Sequence, residues 1–578
     1  MPRRIGLPLL LVVFVAQAIA YSVTLPLGEA ADEVTHFAYV QYLVAHRQLP
    51  SATGAVLGES QQPPLYYLLG AIATFWVPQQ NTKVIANPDY VSANPQTPNL
   101  LLHTRREAFP YYGSALAWHL VRLLSVLMGA VTVWATWRIA HNLFPDDSWI
   151  TFGATAFVAF LPGFLLISAV VNNDNLVIML TSLSVLQVLS MRHRAWNARD
   201  AIVLGVLLGL ALLTKVSALV VWAFAGALLV YYAFESKEWR KASIHIALCF
   251  GTAAALFAPW ALFNFLRFGD PLAWSVYLSI ASIRTSPMVW QDWVGILGAL
   301  FTSSWGRFGG SLELTMPSVY YAALGGLIIA AIVGWLGYAR DAIDHHLNPR
   351  VRTVFVLSVL FWLILLAAYV RWSLNDLAAG QARLLFPGLP LLATIVAAGF
   401  ARLSIKHKGR AVGALCGSLV VAAWFTLFSV NSAFAAPRQN IRALPWVSGS
   451  AAPADFGQTI RIVDYRIDQT QVAPGGPITT QFYWQALNDP SQDYWLLLQL
   501  ADKNGAVANK DGVPSAGRVT TDWWLKGQTF ESSHTIIVPK DTAPGTYTLR
   551  IGLHPFGKWE WLPVDHRDML DLGTITVR

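Results

Sequence analysis

The chain has 578 residues, 55% of them hydrophobic and only 12% charged. A soluble protein typically carries about 25% charged residues, so a large water-soluble core is excluded and a polytopic membrane protein is expected. The formal net charge of +8 does not point to nucleic acid, because the basic residues stand in short clusters between apolar stretches, the pattern of cytoplasmic loops.

A spanning helix needs roughly 20 apolar residues. Eleven spans are predicted: 5–25, 119–140, 149–170, 174–191, 201–214, 216–234, 243–264, 318–338, 351–371, 383–402 and 410–434. The first also resembles a signal peptide, with Arg3-Arg4, a short apolar run and Ala18-Ile19-Ala20; it is read as an uncleaved span. The fifth and sixth are divided only by Lys215, and one long broken helix is the alternative reading. Charge placement tests the count. With eleven spans, Arg3 and Arg4; Arg192, Arg194 and Arg199; Lys237, Arg240 and Lys241; Arg340, Arg350 and Arg352; and Arg402, Lys406, Lys408 and Arg410 all fall on one side. The rule assigns that side to the cytoplasm. Merging the doubtful pair would put the later clusters outside. A multi-pass protein of the cytoplasmic membrane is therefore expected, with its N-terminus inside and its C-terminus outside. Cys249 and Cys416 lie within apolar segments and read as small buried hydrophobes rather than a disulfide.

Three stretches are then extracytoplasmic: 26–118, 265–317 and 435–578. The first holds two helical pieces, 32–47 and "QQPPLYYLLGAIATFW" at 61–76, where Pro63-Pro64 suits a helix start. The second piece is short for a span, and an interfacial helix is expected. From about residue 437 the long apolar runs stop. "PITTQFYW", "YWLLLQL", "TYTLRIGL" and "GTITVR" alternate, separated by Pro474-Gly475-Gly476, Asn504-Gly505 and Pro544-Gly545. A β-sandwich of roughly 120 residues is expected. The domains are thus 1–434, transmembrane, and 435–578, an extracytoplasmic sandwich. Its Trp523, Trp524, Trp559 and Trp561 have two readings, sugar-stacking surface or core.

"EAADEVTHFAYVQYL", residues 29–43, follows directly on the first span. On a helix, Asp32, Glu33 and His36 lie within an arc of about 100°, and Phe37, Val40 and Val44 continue that side. The polar cluster therefore sits at the end of an apolar face, near headgroup depth. Two readings are open. Asp32 is an N-cap with Glu33 favoured by the helix dipole, or the acids do chemistry. Other ionisable groups are expected on the same side of the membrane. Asp174 stands in "VVNNDNL", Lys215 at a second outer turn and Arg122 near the start of the second span. Arg371 and Arg383 bracket "RWSLNDLAAGQAR". Charges at membrane depth are expensive and usually functional. Carboxylates can deprotonate an acceptor while cations hold a phosphate; for each cation alone, snorkelling is the plain alternative.

An acidic pair after the first span, followed by a surface helix, resembles the GT-C superfamily of membrane glycosyltransferases. "ADEVTHFAYVQYL", "QQPPLYYLL", "VVNNDNL" and "ARLLFPGLP" together look like bacterial relatives of the protein O-mannosyltransferases and aminoarabinose transferases. The resemblance covers roughly residues 1–434. It implies a GT-C-like helical fold and a sugar carried on a polyprenyl phosphate, moved to an acceptor at the extracytoplasmic face. It implies Asp32 as the catalytic carboxylate with Glu33 beside it, Asp174 as a second carboxylate, and Arg383 near the donor phosphate. The chain departs from the aminoarabinose transferases at Gln62, where those relatives typically have Lys; Gln donates hydrogen bonds but brings no charge. Phosphate binding would then lean on Lys215, Arg122 or Arg383. His36 and Arg371 are candidate lining residues.

A one-step inverting displacement is the simplest chemistry. Asp32, Glu33, His36 and Asp174 are suitable ligands for a divalent metal, though no spacing requires one and no cofactor is assigned. The expected partners are a polyprenyl phosphate-linked sugar, membrane lipid and a glycan, lipid or protein acceptor. Two rivals remain. A secondary transporter would place its charges near the midplane and often shows inverted repeats. A non-catalytic glycan- or lipid-binding protein of the same ancestry would keep the residues without the reaction.

Overall fold

The computed structural model describes residues 2–51, 58–78, 84–90, 99–191, 197–281, 283–310, 314–343, 348–404, 406–434, 453–517 and 519–578. Arg192, Arg194 and the tether at 435–452 lie outside the described residues. The chain divides into two compact units. One comprises 1–80, 116–308 and 314–431; the other comprises 81–115, 309–313 and 432–578.

The first unit is helical. In chain order its elements are α1 (Pro2–Thr24), α2 (Glu33–His46), α3 (Leu65–Thr74), α4 (Gly113–Leu143), α5 (Ser148–Phe160), α6 (Pro162–Ser168), α7 (Asp174–Met191) and α8 (Ala198–Leu212). They continue as α9 (Leu219–Ser236), α10 (Trp239–Phe268), α11 (Trp274–Ile280), α12 (Trp290–Trp305), α13 (Ser318–Ile343), α14 (Pro349–Ser373), α15 (Leu389–Leu403) and α16 (Lys408–Phe434). A short ribbon, β1 (Arg307–Phe308) with β2 (Leu314–Thr315), follows α12.

Among the described residues, nine helices are long and apolar enough to cross a membrane, and the bent pair α5–α6 makes ten. This is a multi-pass membrane protein. Helices stand at all eleven expected places, but two depart from a simple span. The segment 149–170 bends by 59° between α5 and α6. Pro162 lacks the amide to continue the ladder, and it forces Leu161 out of helical geometry, to φ −68° and ψ 115°. The fifth, α8, has only 15 residues, a rise of about 22 Å against a hydrocarbon thickness of about 30 Å. It does not merge with α9. The chain breaks at 213–218, and Lys215 is extended there. Helix α3 has 10 residues and is too short to cross.

Close helix contacts rest on glycine. A Cβ on Gly334 of α13 would lie 1.9 Å from the Gly399 carbonyl oxygen of α15, and one on Gly205 of α8 would lie 2.3 Å from the Cys249 carbonyl of α10. Without a hydrophobic drive between helices in lipid, such close backbone approach is a main source of adhesion. Both cysteines are free.

The second unit is built on two antiparallel sheets. Its strands are β3 (Ala454–Phe456), β4 (Ile460–Ile467), β5 (Gln471–Val472), β6 (Pro477–Ala486), β7 (Tyr494–Asp502), β8 (Gly505–Gly512), β9 (Thr529–Ile537), β10 (Gly545–Pro555) and β11 (Leu570–Val577). One sheet runs β5-β11-β10-β7-β8 and the other β3-β4-β6-β9, with β5 parallel to β11. The quoted alternating stretches are β6, β7, β10 and β11. Along β6 every second residue is buried from Ile478 to Ala486, as a one-sided strand requires. Between the sheets lie Phe456, Phe482, Trp484, Leu498, Leu549 and Ile551.

The four tryptophans divide. Trp524 is fully buried and stacks on Phe530, with centroids 4.3 Å apart. Trp523 donates to the His103 carbonyl. Trp559 is exposed beside Trp561 and His554. Residues before α4 pack on this unit: Asn87 Nδ2 donates to the Gly517 carbonyl at 2.8 Å, and Lys510 Nζ is 3.0 Å from Asp89 Oδ1.

The α13–α15 contact carries a direct test. Gly334→Ala should force the two backbones apart and lower the melting temperature in detergent, by the equivalent of about 1–3 kcal/mol for an overpacked core. Gly326→Ala, where nothing lies within 4 Å, is the control. Equal melting of the two variants would refute the tight crossing.

Candidate functional site

The exit from α1 is fixed by a buried ion pair. Glu33 and Arg122 are both fully buried. Glu33 Oε1 accepts from Arg122 Nε at 2.7 Å, Trp118 Nε1 at 3.0 Å and the Val171 amide at 2.9 Å. Its Oε2 accepts from Arg122 Nη2 at 2.6 Å and the Gly28 amide at 3.1 Å. The remaining guanidinium hydrogens go to the carbonyls of Ser22, Leu25 and Pro26 at 2.6–3.0 Å. All five N–H donors of Arg122 are thus used, and both Glu33 oxygens are saturated. This corrects two expectations. Arg122 has no donor left for a phosphate, and Glu33 has no oxygen left for a substrate or a metal. Together they tie α1, α2, α4 and the turn before α7.

One residue earlier the geometry is different. Asp32 adopts a left-handed backbone, φ 64°, and its side chain makes no cap hydrogen bond. The plain N-cap reading therefore fails, since the carboxylate accepts from none of the helix amides. It pairs instead with Arg383 Nη2. Arg383 Nη1 lies 3.3 Å from Asp174 Oδ2, and Arg383 Nε donates to Gln381 at 2.7 Å. Asp174 Oδ1 in turn holds Lys215 Nζ at 2.5 Å. Asp32, Arg383, Asp174 and Lys215 form one chain of alternating charge. Its members are unequally covered: the Asp32 side chain is 46% exposed, Arg383 14%, Lys215 18% and Asp174 4%. Arg383 holds the Asp32 carboxyl below the usual carboxylate range, against the opposing effect of burial, so Asp32 is ionised at neutral pH.

Local sequence explains the convergence. The "QQPP" turn, "VVNNDNL" and the break after α8 are bonded to one another. The Leu65 amide donates to the Leu213 carbonyl at 3.1 Å. Asn173 Nδ2 reaches both the Thr214 carbonyl and Gln62 Oε1 at 3.4 Å. The Asp174 amide is held by Asn172 Oδ1 at 2.9 Å. Gln62 thus stands beside the Asp174–Lys215 pair. Arg371 is exposed, and among the described contacts its side chain meets none of these groups.

A second cluster adjoins the first. His36 Nδ1 is 2.8 Å from Tyr67 Oη, which donates to Glu59 Oε2 at 3.4 Å. Burial lowers the imidazole to about 3 and raises the Glu59 carboxyl to about 8, the latter with help from the Asp32 charge. Both are neutral at pH 7. The sequence reading missed Glu59. It stands four residues before Pro63 in "GESQQPP", and that proximity to the proline turn was its one signal. Among the described residues no three His, Cys, Asp or Glu groups are arranged to hold a metal. Asp32, Glu33 and His36 do not form such a set, because Arg122 occupies Glu33.

The buried pair has its own test. Glu33→Gln leaves the Arg122 charge uncompensated, which typically costs about 3–5 kcal/mol. The variant should aggregate or melt early in detergent, and pairing it with Arg122→Met should recover stability. A Glu33→Gln protein as stable as the parent would remove the clamp from the fold.

Residues 117–263 match the family of dolichyl-phosphate-mannose-protein mannosyltransferases. No curated protein matches the chain. Among solved structures it is similar to ArnT from Cupriavidus metallidurans in the apo state, at 13% identity over 73% of this chain and 75% of that one, with a TM-score of 0.45. The same protein bound to undecaprenyl phosphate gives 14% identity, 74% and 77% coverage and a TM-score of 0.44. Archaeal oligosaccharyltransferase AglB from Archaeoglobus fulgidus, in complex with an inhibitory peptide and a dolichol-phosphate, gives 12% identity, 74% and 55% coverage and a TM-score of 0.44. Of the quoted motifs the matched stretch contains "VVNNDNL", and with it Asp174 as well as Arg122 and Lys215.

Proposed function

We propose that the chain transfers a sugar from a polyprenyl phosphate to an acceptor at the extracytoplasmic face of the cytoplasmic membrane, with inversion. The observation that carries this reading is the alternating chain Asp32–Arg383–Asp174–Lys215, in which an exposed carboxylate shares one arginine with a buried one. Arg383 and Lys215 hold the phosphate oxygens of the donor, with Gln62 offering a neutral donor beside them. Asp32 takes the proton from the acceptor O–H or N–H. The acceptor's electron pair attacks the anomeric carbon from the side opposite the phosphate. The carbon–oxygen bond to phosphate breaks, and its electron pair leaves with the polyprenyl phosphate, which is stable as an anion and needs no acid. Arg383 makes the free Asp32 a weak base. A phosphate drawing on the same guanidinium loosens that pairing and raises Asp32's basicity when the donor is in place.

The family match to dolichyl-phosphate-mannose enzymes supports the lipid-phosphate donor. The one-sided basic clusters support a cytoplasmic N-terminus, and the charged chain then lies at the outer ends of its helices. In this reading residues 1–434 carry the chemistry and the sandwich supplies no catalytic group.

Asp32→Asn keeps the side chain's size and its tolerance of the left-handed backbone. Transfer of labelled sugar from a polyprenyl phosphate donor should fall by about 10²–10⁴-fold, the worth of a general base, while the donor still binds. Arg383→Gln should raise the apparent KM for donor. It also frees Asp32 from its cation, so the acid limb of the pH–rate profile should move to higher pH. Transfer by Asp32→Asn at the parent rate would refute the base, and counterflow of a solute without transfer would favour a transporter.

A further inference from the structure

The candidate site has two sides of different character. The phosphate side is ionic. The other side, made by α2, α3 and the turn before them, is polar yet uncharged. Glu59, Tyr67 and His36 are linked there by the contacts given above. Tyr39 stacks on Tyr67 with ring centroids 3.9 Å apart. The Tyr39 hydroxyl is fully buried and, among the described residues, has no hydrogen-bond partner. The same holds for the buried Ser60 Oγ and Gln61 Oε1, which follow Glu59 toward the proline turn. A buried polar atom left unpaired is costly, typically about 1–3 kcal/mol. Two of the three directly follow one buried acid and the third belongs to the ring stacked on its tyrosine partner; together they point to an occupant that supplies hydrogen bonds.

The chemistry narrows that occupant. A polyprenyl tail would select apolar walls. A phosphate would select the cations, which stand on the other side. Phenols, a neutral imidazole and a carboxylic acid both donate and accept without net charge, as neighbouring hydroxyl groups on a ring require. Resting on the transferase reading above, we propose that Glu59, Tyr67, His36 and Tyr39 bind the hydroxyl groups of an uncharged donor sugar, Glu59 through its carboxyl group.

The titratable groups facing Glu59 act on that role in both directions. Tyr67 is held well above the ordinary phenol range by burial, and Tyr39 is raised in the same way. His36 stays uncharged. Of the charged neighbours, Asp32 and Asp174 favour the protonated acid, while Lys215 and Arg383 oppose it. The acid loses its proton only as pH rises through about 8, and its hydrogen bond to the sugar is lost with it.

The test measures binding of two probes to the full chain in nanodiscs: undecaprenyl phosphate, and undecaprenyl phosphate mannose. The parent should prefer the sugar-loaded lipid by about tenfold or more, the equivalent of one or two net hydrogen bonds. Glu59→Ala should lose that preference and keep its affinity for undecaprenyl phosphate. Glu59→Gln, which mimics the neutral acid, should retain it. In the parent the preference should decline above pH 8, and in Glu59→Gln it should not. A melting curve in detergent separates loss of recognition from loss of fold. A preference undiminished in Glu59→Ala, or lost equally in both variants, would overturn the proposal. So would a parent that binds both lipids alike, and that result would leave the transferase reading intact. A parent that binds neither lipid would overturn the transferase reading and this one with it.

Discussion

Everything around the site depends on one buried charge pair. Glu33 and Arg122 sit where no water screens them, and the pair is tolerable only because each lone pair and each hydrogen has a partner. Three of those partners are carbonyls at the end of α1, which a terminating helix leaves unsatisfied. Arg122 thus closes α1 and fixes the start of α2 in the same contact. That leaves the adjacent Asp32 outside the clamp, paired with Arg383 instead. One member of the acidic pair is structural so that its neighbour can be exposed.

The helical scaffold and the sandwich were legible because their physics is periodic. Apolar length announces a span, and alternation with glycine turns announces a strand; the four quoted stretches became β6, β7, β10 and β11. The bend at Pro162 and the shortness of α8 were harder to read. Composition alone does not say where a helix loses its ladder within an apolar run. Helices α8 and α9 stay separate, because Lys215 marks a break that also aims its amine at Asp174.

The site was legible in part. Asp32, Asp174, Lys215 and Arg383 were named from their type and their membrane side, and they do meet. What the sequence could not distinguish was a charge consumed by the fold from one left available. Arg122 and Arg383 read alike as arginines at helix ends, yet one spends every donor on backbone and Glu33 while the other is shared between two carboxylates. Glu59 escaped notice because its significance lies in burial and in contacts with Tyr67 and His36. Those contacts join α2 to a turn more than twenty residues away, and no local pattern encodes them.

Asp32's left-handed backbone also limits what this position can become. Most residues with a Cβ are strained at φ 64°, whereas aspartate, asparagine and glycine are tolerated there. Glutamate, the nearest chemical relative, would carry a carboxylate but meet the backbone penalty and place its oxygens one methylene too far. The substitutions that fit the fold best, asparagine and glycine, are those that abolish basicity. Drift at this position therefore tends to yield intact proteins that have lost the base.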